Sequence, residues 1–149
     1  MRSRASPNPR TGEMAELVDS SVWIDYLRNL PSAATAHLTE VLTARPEDLL
    51  GCPPVRMELS VPSEEMTRRR TLAIYDQLDS VHVMDEDFDS AAEIFRDVRS
   101  SGHTVRSMVD CLIAALAERS SVRLVHADID YIRIQAVRPN LATLSLLQD

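Results

Sequence analysis

Lysine is absent from this sequence, and glycine, cysteine and aromatic residues are scarce. All 16 basic residues are arginines, three residues are glycine, two are cysteine, and aromatic side chains make up 4% of the 149 residues. The missing lysine argues against receiver domains and haloacid-dehalogenase-like phosphatases, which both need one. Neither GxxxxGK[ST] nor GxGxxG occurs, which argues against the phosphate-binding loops of common nucleotide-binding folds.

Long apolar runs are also missing. A typical one is Leu112 to Ala117, far below the roughly 18 residues of a membrane span, and no secretory signal is recognisable. Cys52 and Cys111 stand in neither a CxxC nor a Cys/His spacing, so the sequence does not indicate zinc. We therefore expect a cytoplasmic protein without membrane contact, and a single disulfide stays an open alternative.

The net charge of −7 is unusual for a nucleic-acid-binding protein, since phosphate contacts usually come from a basic surface. Carboxylates gathered around a divalent cation would explain the excess of acids. A solubilising acidic surface would explain it equally well, and charge alone does not separate the two explanations. Hydrophobic residues make up 44% of the chain, enough for one well-packed domain.

The chain divides into a polar start and one domain in which strands alternate with helices. Residues 1–14 are rich in proline, arginine and serine, which predicts a disordered extension before a domain of residues 15–149. Strands are predicted over residues 15–18, 49–52, 80–84, 122–126 and 141–146, and helices over residues 22–29, 32–44, 53–62, 64–78, 88–100, 107–120 and 128–137. This alternation predicts an α/β fold with a mostly parallel central sheet flanked by helices.

Acidic residues recur where such a sheet places its ligand site. Asp19 follows the first predicted strand, and Asp128 and Asp130 follow the strand at residues 122–126. Ligands of open α/β sheets lie at the carboxyl ends of the strands. Each acid also has an ordinary explanation, because Asp19 and Asp128 suit helix N-caps and the residues from Ser107 to Asp110 resemble a capping box.

Two further carboxylates point inward by helical spacing. Glu58 shares a face with apolar neighbours, where either a cation or an arginine such as Arg56 or Arg106 must neutralise it. Asp110 lies on the apolar face of its helix with Ile113. Two carboxylates about 4 Å apart repel by about 4 kcal/mol at an effective dielectric constant near 20. Such a cluster must take up protons or a cation, and its oxygen ligands suit Mg²⁺ or Mn²⁺.

Four segments together resemble a known family. They are VDSSVWI (18–24), MEL (57–59), TVRSMVDCLIAA (104–115) and VHADIDY (125–131). In order and spacing they resemble the PIN-domain ribonucleases, specifically the VapC-type toxins of bacterial toxin–antitoxin pairs. The resemblance covers the chain from about Leu17 onward and implies a PIN-like three-layer sandwich.

The resemblance also implies the chemistry. It implies a metal-dependent endoribonuclease that hydrolyses RNA phosphodiesters and leaves a 5′-phosphate and a 3′-hydroxyl, with one or two Mg²⁺ or Mn²⁺ ions as cofactor. Ser21 would hold water or a carboxylate. The implied catalytic residues are Asp19, Glu58, Asp110, Asp128 and Asp130, with metal ligands among them at Asp19, Asp110 and Asp128 and with Asp130 assisting through water.

The implied partners are RNA, a second copy of the chain in a homodimer, and a cognate antitoxin that inserts a peptide segment near the acids. Arg106 would either contact RNA or pair with a carboxylate, and the run from Arg68 to Arg70 would contact RNA or form a solvated helix face. Trp23 and Tyr26 would either stack on bases or pack in the core or a dimer interface. The alternative function is a catalytically silent PIN-like module that binds RNA or a partner.

Overall fold

Five parallel strands form the sheet in the computed structural model, which describes residues 14–148. The spatial order of the strands is β3-β2-β1-β4-β5, and each neighbouring pair is parallel. The strands are β1 (Glu16–Val18), β2 (Leu49–Gly51), β3 (Asp79–Ser80), β4 (Arg123–His126) and β5 (Thr143–Ser145). The predicted parallel α/β sheet is therefore confirmed, with the strand at residues 80–84 shortened to two residues and moved to Asp79–Ser80.

Helices cover both sides of the sheet and give the three-layer arrangement. They are α1 (Ser20–Leu27), α2 (Ala33–Ala44), α3 (Pro53–Leu59), α4 (Glu65–Tyr75), α5 (Asp85–Ser100), α6 (Met108–Ser120) and α7 (Ile129–Val137), with a 3₁₀ turn at Pro46–Asp48 that the sequence pattern did not predict. Helix α5 begins at Asp85 rather than at Phe88 because the Asp87 carboxylate accepts a hydrogen bond from the Met84 amide at 2.8 Å. That bond supplies a partner for a free helix-start amide.

The core lies on both faces of the sheet. Leu17, Val18, Leu124 and Val125 of the two central strands are fully buried, as expected for a parallel sheet between helix layers. Trp23 is buried too and meets Tyr75 edge to face, with ring centroids 5.4 Å apart. Of the two alternatives for Trp23, the structure therefore selects internal packing over stacking on bases.

The structure also shows the state of the two cysteines. Cys52 and Cys111 are both buried and free, so they form no disulfide with each other.

The predicted disordered extension lies almost wholly outside the described residues. Between residues 14 and 148, no helix has the length and apolar character needed to cross a bilayer.

The side chain of Tyr75 packs against the junction between β2 and α3. Its hydroxyl accepts a hydrogen bond from the Cys52 amide at 2.8 Å, and its ring stands against Gly51, where an added Cβ would lie 3.0 Å from a ring carbon. We expect Tyr75→Phe to lower the free energy of unfolding by about 1–3 kcal/mol, because the buried amide loses its partner. Chemical denaturation measures the change. Tyr26→Phe, at a half-buried ring, is the matched control, and equal stability of the two variants would contradict the assignment.

Candidate metal centre

Asp19 stands at the carboxyl end of the central strand β1. Its side chain accepts hydrogen bonds from the Ser21 amide at 3.0 Å, the Ser21 hydroxyl at 2.6 Å and the Tyr131 hydroxyl at 2.7 Å, and only 2% of the residue is exposed. Asp19 is thus the N-cap of α1 and a member of the acidic cluster at once. The helix cap that the sequence offered as one explanation is therefore present, and it does not keep Asp19 from lying beside the other acids.

Asp110 lies in the first turn of α6 and lines the same pocket as Asp19. Ser107 caps that helix by accepting a hydrogen bond from the Val109 amide at 3.2 Å, so Asp110 need not serve as a cap. Its carboxylate instead lies 3.3 Å from the Tyr131 hydroxyl, and the residue is 7% exposed. The inward orientation expected from the apolar stripe is therefore present.

Glu58 reaches the cluster from α3. The Ser20 hydroxyl donates to its carboxylate at 3.1 Å. Neither of the two arginines considered as its partner has that role, because Arg56 pairs with Asp76 at 2.7 Å and Arg106 pairs with other acids of the site. Glu58 therefore remains a half-buried carboxylate held by a neutral hydroxyl.

Five acids line one pocket of about 350 Å³ and form two overlapping groups. In the first group, carboxylate oxygens of Asp19, Glu58 and Asp110 lie within 4.8 Å of one another. In the second group, the same holds for Asp110, Asp128 and Asp130. All five predicted acids thus converge, and Asp110 belongs to both groups.

Arg106 pairs with two acids of the second group, Asp128 and Asp130, and makes no ion pair with Asp110. Arg106 donates from Nη2 to Asp128 at 2.8 Å and from Nε to Asp130 at 3.1 Å, while its backbone amide also donates to Asp130 at 3.1 Å. Arg133 adds a more distant contact with Asp130 at 3.5 Å. Asp128 is also the N-cap of α7, as its carboxylate accepts from the Asp130 amide at 3.0 Å. Of the two roles considered for Arg106, pairing with carboxylates is the one the structure contains.

Two acids of the first group, Asp110 and Glu58, have raised pKa values. Burial raises the pKa of Asp110 to about 7, and the charges of Asp19 and Asp128 add to the effect. Burial, followed by repulsion from Asp19, also raises the pKa of Glu58. These shifts have the physical causes expected of carboxylates that are crowded and partly withdrawn from water.

The first group suits a hard divalent cation. Its donors are carboxylate oxygens, the ligand type that Mg²⁺ and Mn²⁺ prefer over nitrogen or sulfur. Burial raises the pKa of the neighbouring Cys111 thiol to about 11, so it stays protonated and is a poor ligand. Burial lowers the pKa of His126, and its Nδ1 accepts a hydrogen bond from the Asp128 amide at 3.3 Å. This neutral imidazole therefore supports the turn that carries Asp128.

Sequence reasoning missed two hydroxyl groups of the site. Ser20 holds Glu58, and Tyr131 joins Asp19 to Asp110. The hydroxyl of a tyrosine on a buried helix face normally needs a hydrogen-bond partner. This requirement could have indicated a polar contact of Tyr131 from the sequence alone. Ser20 carried no distinct signal, since its contact depends on how α3 packs against α1.

Comparisons with known proteins agree with this geometry. A family model described as the PIN domain matches residues 17–137. The chain is 39% identical over 117 residues to VapC ribonuclease Mb1587 of Mycobacterium bovis and, with the same figures, to ribonuclease VapC11 of Mycobacterium tuberculosis. These matches cover 77% of this chain and 87% of each relative. A toxin–antitoxin complex from Klebsiella pneumoniae contains a chain of similar fold, with a TM-score of 0.66, 16% identity, and coverage of 90% of this chain and 99% of that one.

The raised pKa of Asp110 predicts how stability depends on pH. The folded protein binds this proton up to about pH 7, whereas an unfolded aspartate releases it near pH 4. Stability from Asp110 is therefore present at low pH and lost as the pH rises from about 4 through 7. In metal-free buffer at pH 8 we expect Asp110→Asn to exceed the wild type by about 2–4 kcal/mol in the free energy of unfolding, and we expect this advantage to shrink toward pH 4.

Denaturation curves at several pH values, with a chelator present, measure this difference. Asp89→Asn, at an exposed position of α5, is the matched control. Adding Mn²⁺ at pH 8 should stabilise the wild type and leave Asp110→Asn almost unchanged. If the difference in the free energy of unfolding between the two proteins does not change with pH, the pKa of Asp110 is not raised to near 7.

Proposed function

This chain belongs to the PIN-domain family, among the VapC ribonucleases, and we propose that it is a toxin that cleaves RNA through a Mg²⁺ or Mn²⁺ ion held by its carboxylates. The family assignment makes it a ribonuclease. One observation supports the metal most strongly. Asp19, Glu58 and Asp110 bring oxygens within 4.8 Å of one another, and among the described residues the side chains that contact these acids are neutral hydroxyls.

The proposed roles follow from these contacts. Asp19, Glu58 and Asp110 would hold the ion. Glu58 here takes the place of Asp128 among the expected ligands, because Asp128 pairs with Arg106 at 2.8 Å, and Asp128 and Asp130 would complete the acidic set. A divalent cation at such a site polarises a phosphate and makes a bound water more acidic. The chain's own residues supply the geometry, because Ser21 fixes Asp19 from one side and also accepts a hydrogen bond from the Ala127 amide at 3.1 Å. Ser21 thereby ties the ends of β1 and β4 together.

Arg106 is the proposed contact for the RNA backbone. It lines the pocket, and 70% of its side chain is exposed while it pairs with Asp128 and Asp130. A guanidinium has five N–H donors, so two carboxylate contacts leave donors for a phosphate. The helix α4 arginines Arg68, Arg69 and Arg70 are less suited to this role, since none of them lines the pocket.

The alternative of a catalytically silent PIN-like module has less support. A domain that only binds RNA has no need to keep uncompensated carboxylates together, and removing any of them would relieve repulsion. Here all five acids line the same pocket. The intact acidic set therefore favours catalysis.

RNA cleavage in vitro tests the proposed activity. Purified protein incubated with total RNA should cut it in the presence of Mg²⁺ or Mn²⁺ and should stop when a chelator is added. We expect Asp19→Asn and Glu58→Gln to lower the cleavage rate at least about 100-fold, because each removes a charge that holds the ion. Asp89→Asn should cleave like the wild type. End-mapping of the fragments should show 5′-phosphates, and cleavage indifferent to both metal and substitution would refute the mechanism.

The proposed partner is a cognate antitoxin. The Klebsiella neighbour comes from a toxin–antitoxin complex, and an acidic pocket complements an arginine supplied by a bound peptide. The homodimer and the cytoplasmic location implied by the family resemblance stay predictions.

Expression in bacteria tests the toxin role. Induction of the chain alone should halt growth, because an active ribonuclease depletes essential RNA, and Asp19→Asn should relieve the arrest at equal protein level. Co-expression of a small protein encoded beside this gene should also relieve it and should co-purify with the chain. Arrest by Asp19→Asn as strong as that by the wild type would separate toxicity from the acidic site.

A further inference from the structure

Tyr131 is a fully buried tyrosine whose hydroxyl lies between two carboxylates of the site. The residue is on α7, its ring stands 5.0 Å from the His126 ring, and its exposed fraction is 0%. The hydroxyl is 2.7 Å from Oδ1 of Asp19 and 3.3 Å from Oδ1 of Asp110. One side chain from the last helix therefore spans acids from the first strand end and from α6.

The shorter distance identifies the main acceptor. A phenol has one proton to donate, and the 2.7 Å contact directs it to Asp19. Because Ser21 binds the other oxygen of that carboxylate, both oxygens of Asp19 are held, and the plane of the carboxylate is fixed. Asp110 lies 3.3 Å from the same phenol oxygen, so the phenol stands between the two acids and limits how closely their carboxylates approach.

We propose that Tyr131 is a positioning residue that orients Asp19 and Asp110 for the cation. The proposal rests on the proposed function, because it assumes that these carboxylates bind a metal ion. Groups that hydrogen-bond to metal ligands commonly alter metal affinity or activity by 10- to 100-fold when removed. Tyr131 has the two features that this role requires, a rigid buried ring and a hydroxyl aimed at the ligands.

Tyr131→Phe isolates the hydroxyl, since the ring and its packing are kept. We expect Mn²⁺, titrated calorimetrically into the metal-free protein, to bind this variant about 10-fold more weakly than the wild type. Cleavage by the variant should be impaired at low Mn²⁺ and should recover as Mn²⁺ is raised. Tyr26→Phe, which removes a hydroxyl from a half-buried ring outside the pocket, should bind Mn²⁺ like the wild type.

A second measurement needs no substitution at Tyr131. It therefore remains possible even if Tyr131→Phe fails to fold. The wild-type protein, labelled with ¹³C at the tyrosine Cζ atoms, has three tyrosines. The resonance that persists in both Tyr26→Phe and Tyr75→Phe belongs to Tyr131. Addition of Mg²⁺ should shift this resonance, because the charge on the carboxylate that accepts its hydrogen bond changes.

The outcomes separate this inference from the proposed function. Equal Mn²⁺ affinity of Tyr131→Phe and the wild type would overturn the positioning role while leaving the metal site intact. An unmoved Tyr131 resonance under saturating Mg²⁺ would overturn it as well. A wild-type protein that binds neither ion would refute the metal site itself, and the role of Tyr131 would fall with it.

Discussion

The close approach of Asp19, Glu58 and Asp110 is the constraint on which the rest of this structure depends. Three carboxylates within 4.8 Å of one another repel strongly, so the fold must hold them together by other means. Parallel pairing of β1 with β4 supplies the frame, as the Asp19 amide donates to the Val125 carbonyl at 2.8 Å. The strand ends are thus fixed by backbone hydrogen bonds, which do not weaken when the side chains repel.

The two ends of β1 show that this repulsion is confined to one place. Glu16, at the amino end, is fully buried, yet it has His37 at 2.7 Å and Arg123 at 3.0 Å as partners. Asp19, at the carboxyl end, is nearly as buried but has only hydroxyls and an amide as donors to its side chain among the described residues. The chain therefore does compensate buried acids with cations elsewhere. The contrast between Glu16 and Asp19 supports the proposal that a divalent cation binds beside Asp19.

The sequence pattern predicted the sheet and the strand-end acids because both follow from local rules. Strand ends and helix starts are readable from apolar periodicity, and they place Asp19 and Asp128 at one edge of the sheet. The convergence of Glu58 and Asp110 depended on family resemblance, since no local rule brings α3 and α6 together. The partners of the Tyr131 hydroxyl and the two acids that pair with Arg106 could not be identified from the sequence, because they depend on side-chain distances across elements far apart in the chain.

Net charge proves a poor guide to RNA contact in this chain, since the relevant field is local. The protein carries −7 overall, and Arg106 is the basic residue that lines the described pocket. Its guanidinium pairs with Asp128 and Asp130 while remaining largely exposed, so the acids hold it in place without covering it. A phosphate approaching the pocket would therefore meet an oriented cation first and the carboxylates behind it. An acidic protein can in this way offer a phosphate one well-placed positive group where a basic surface would offer many.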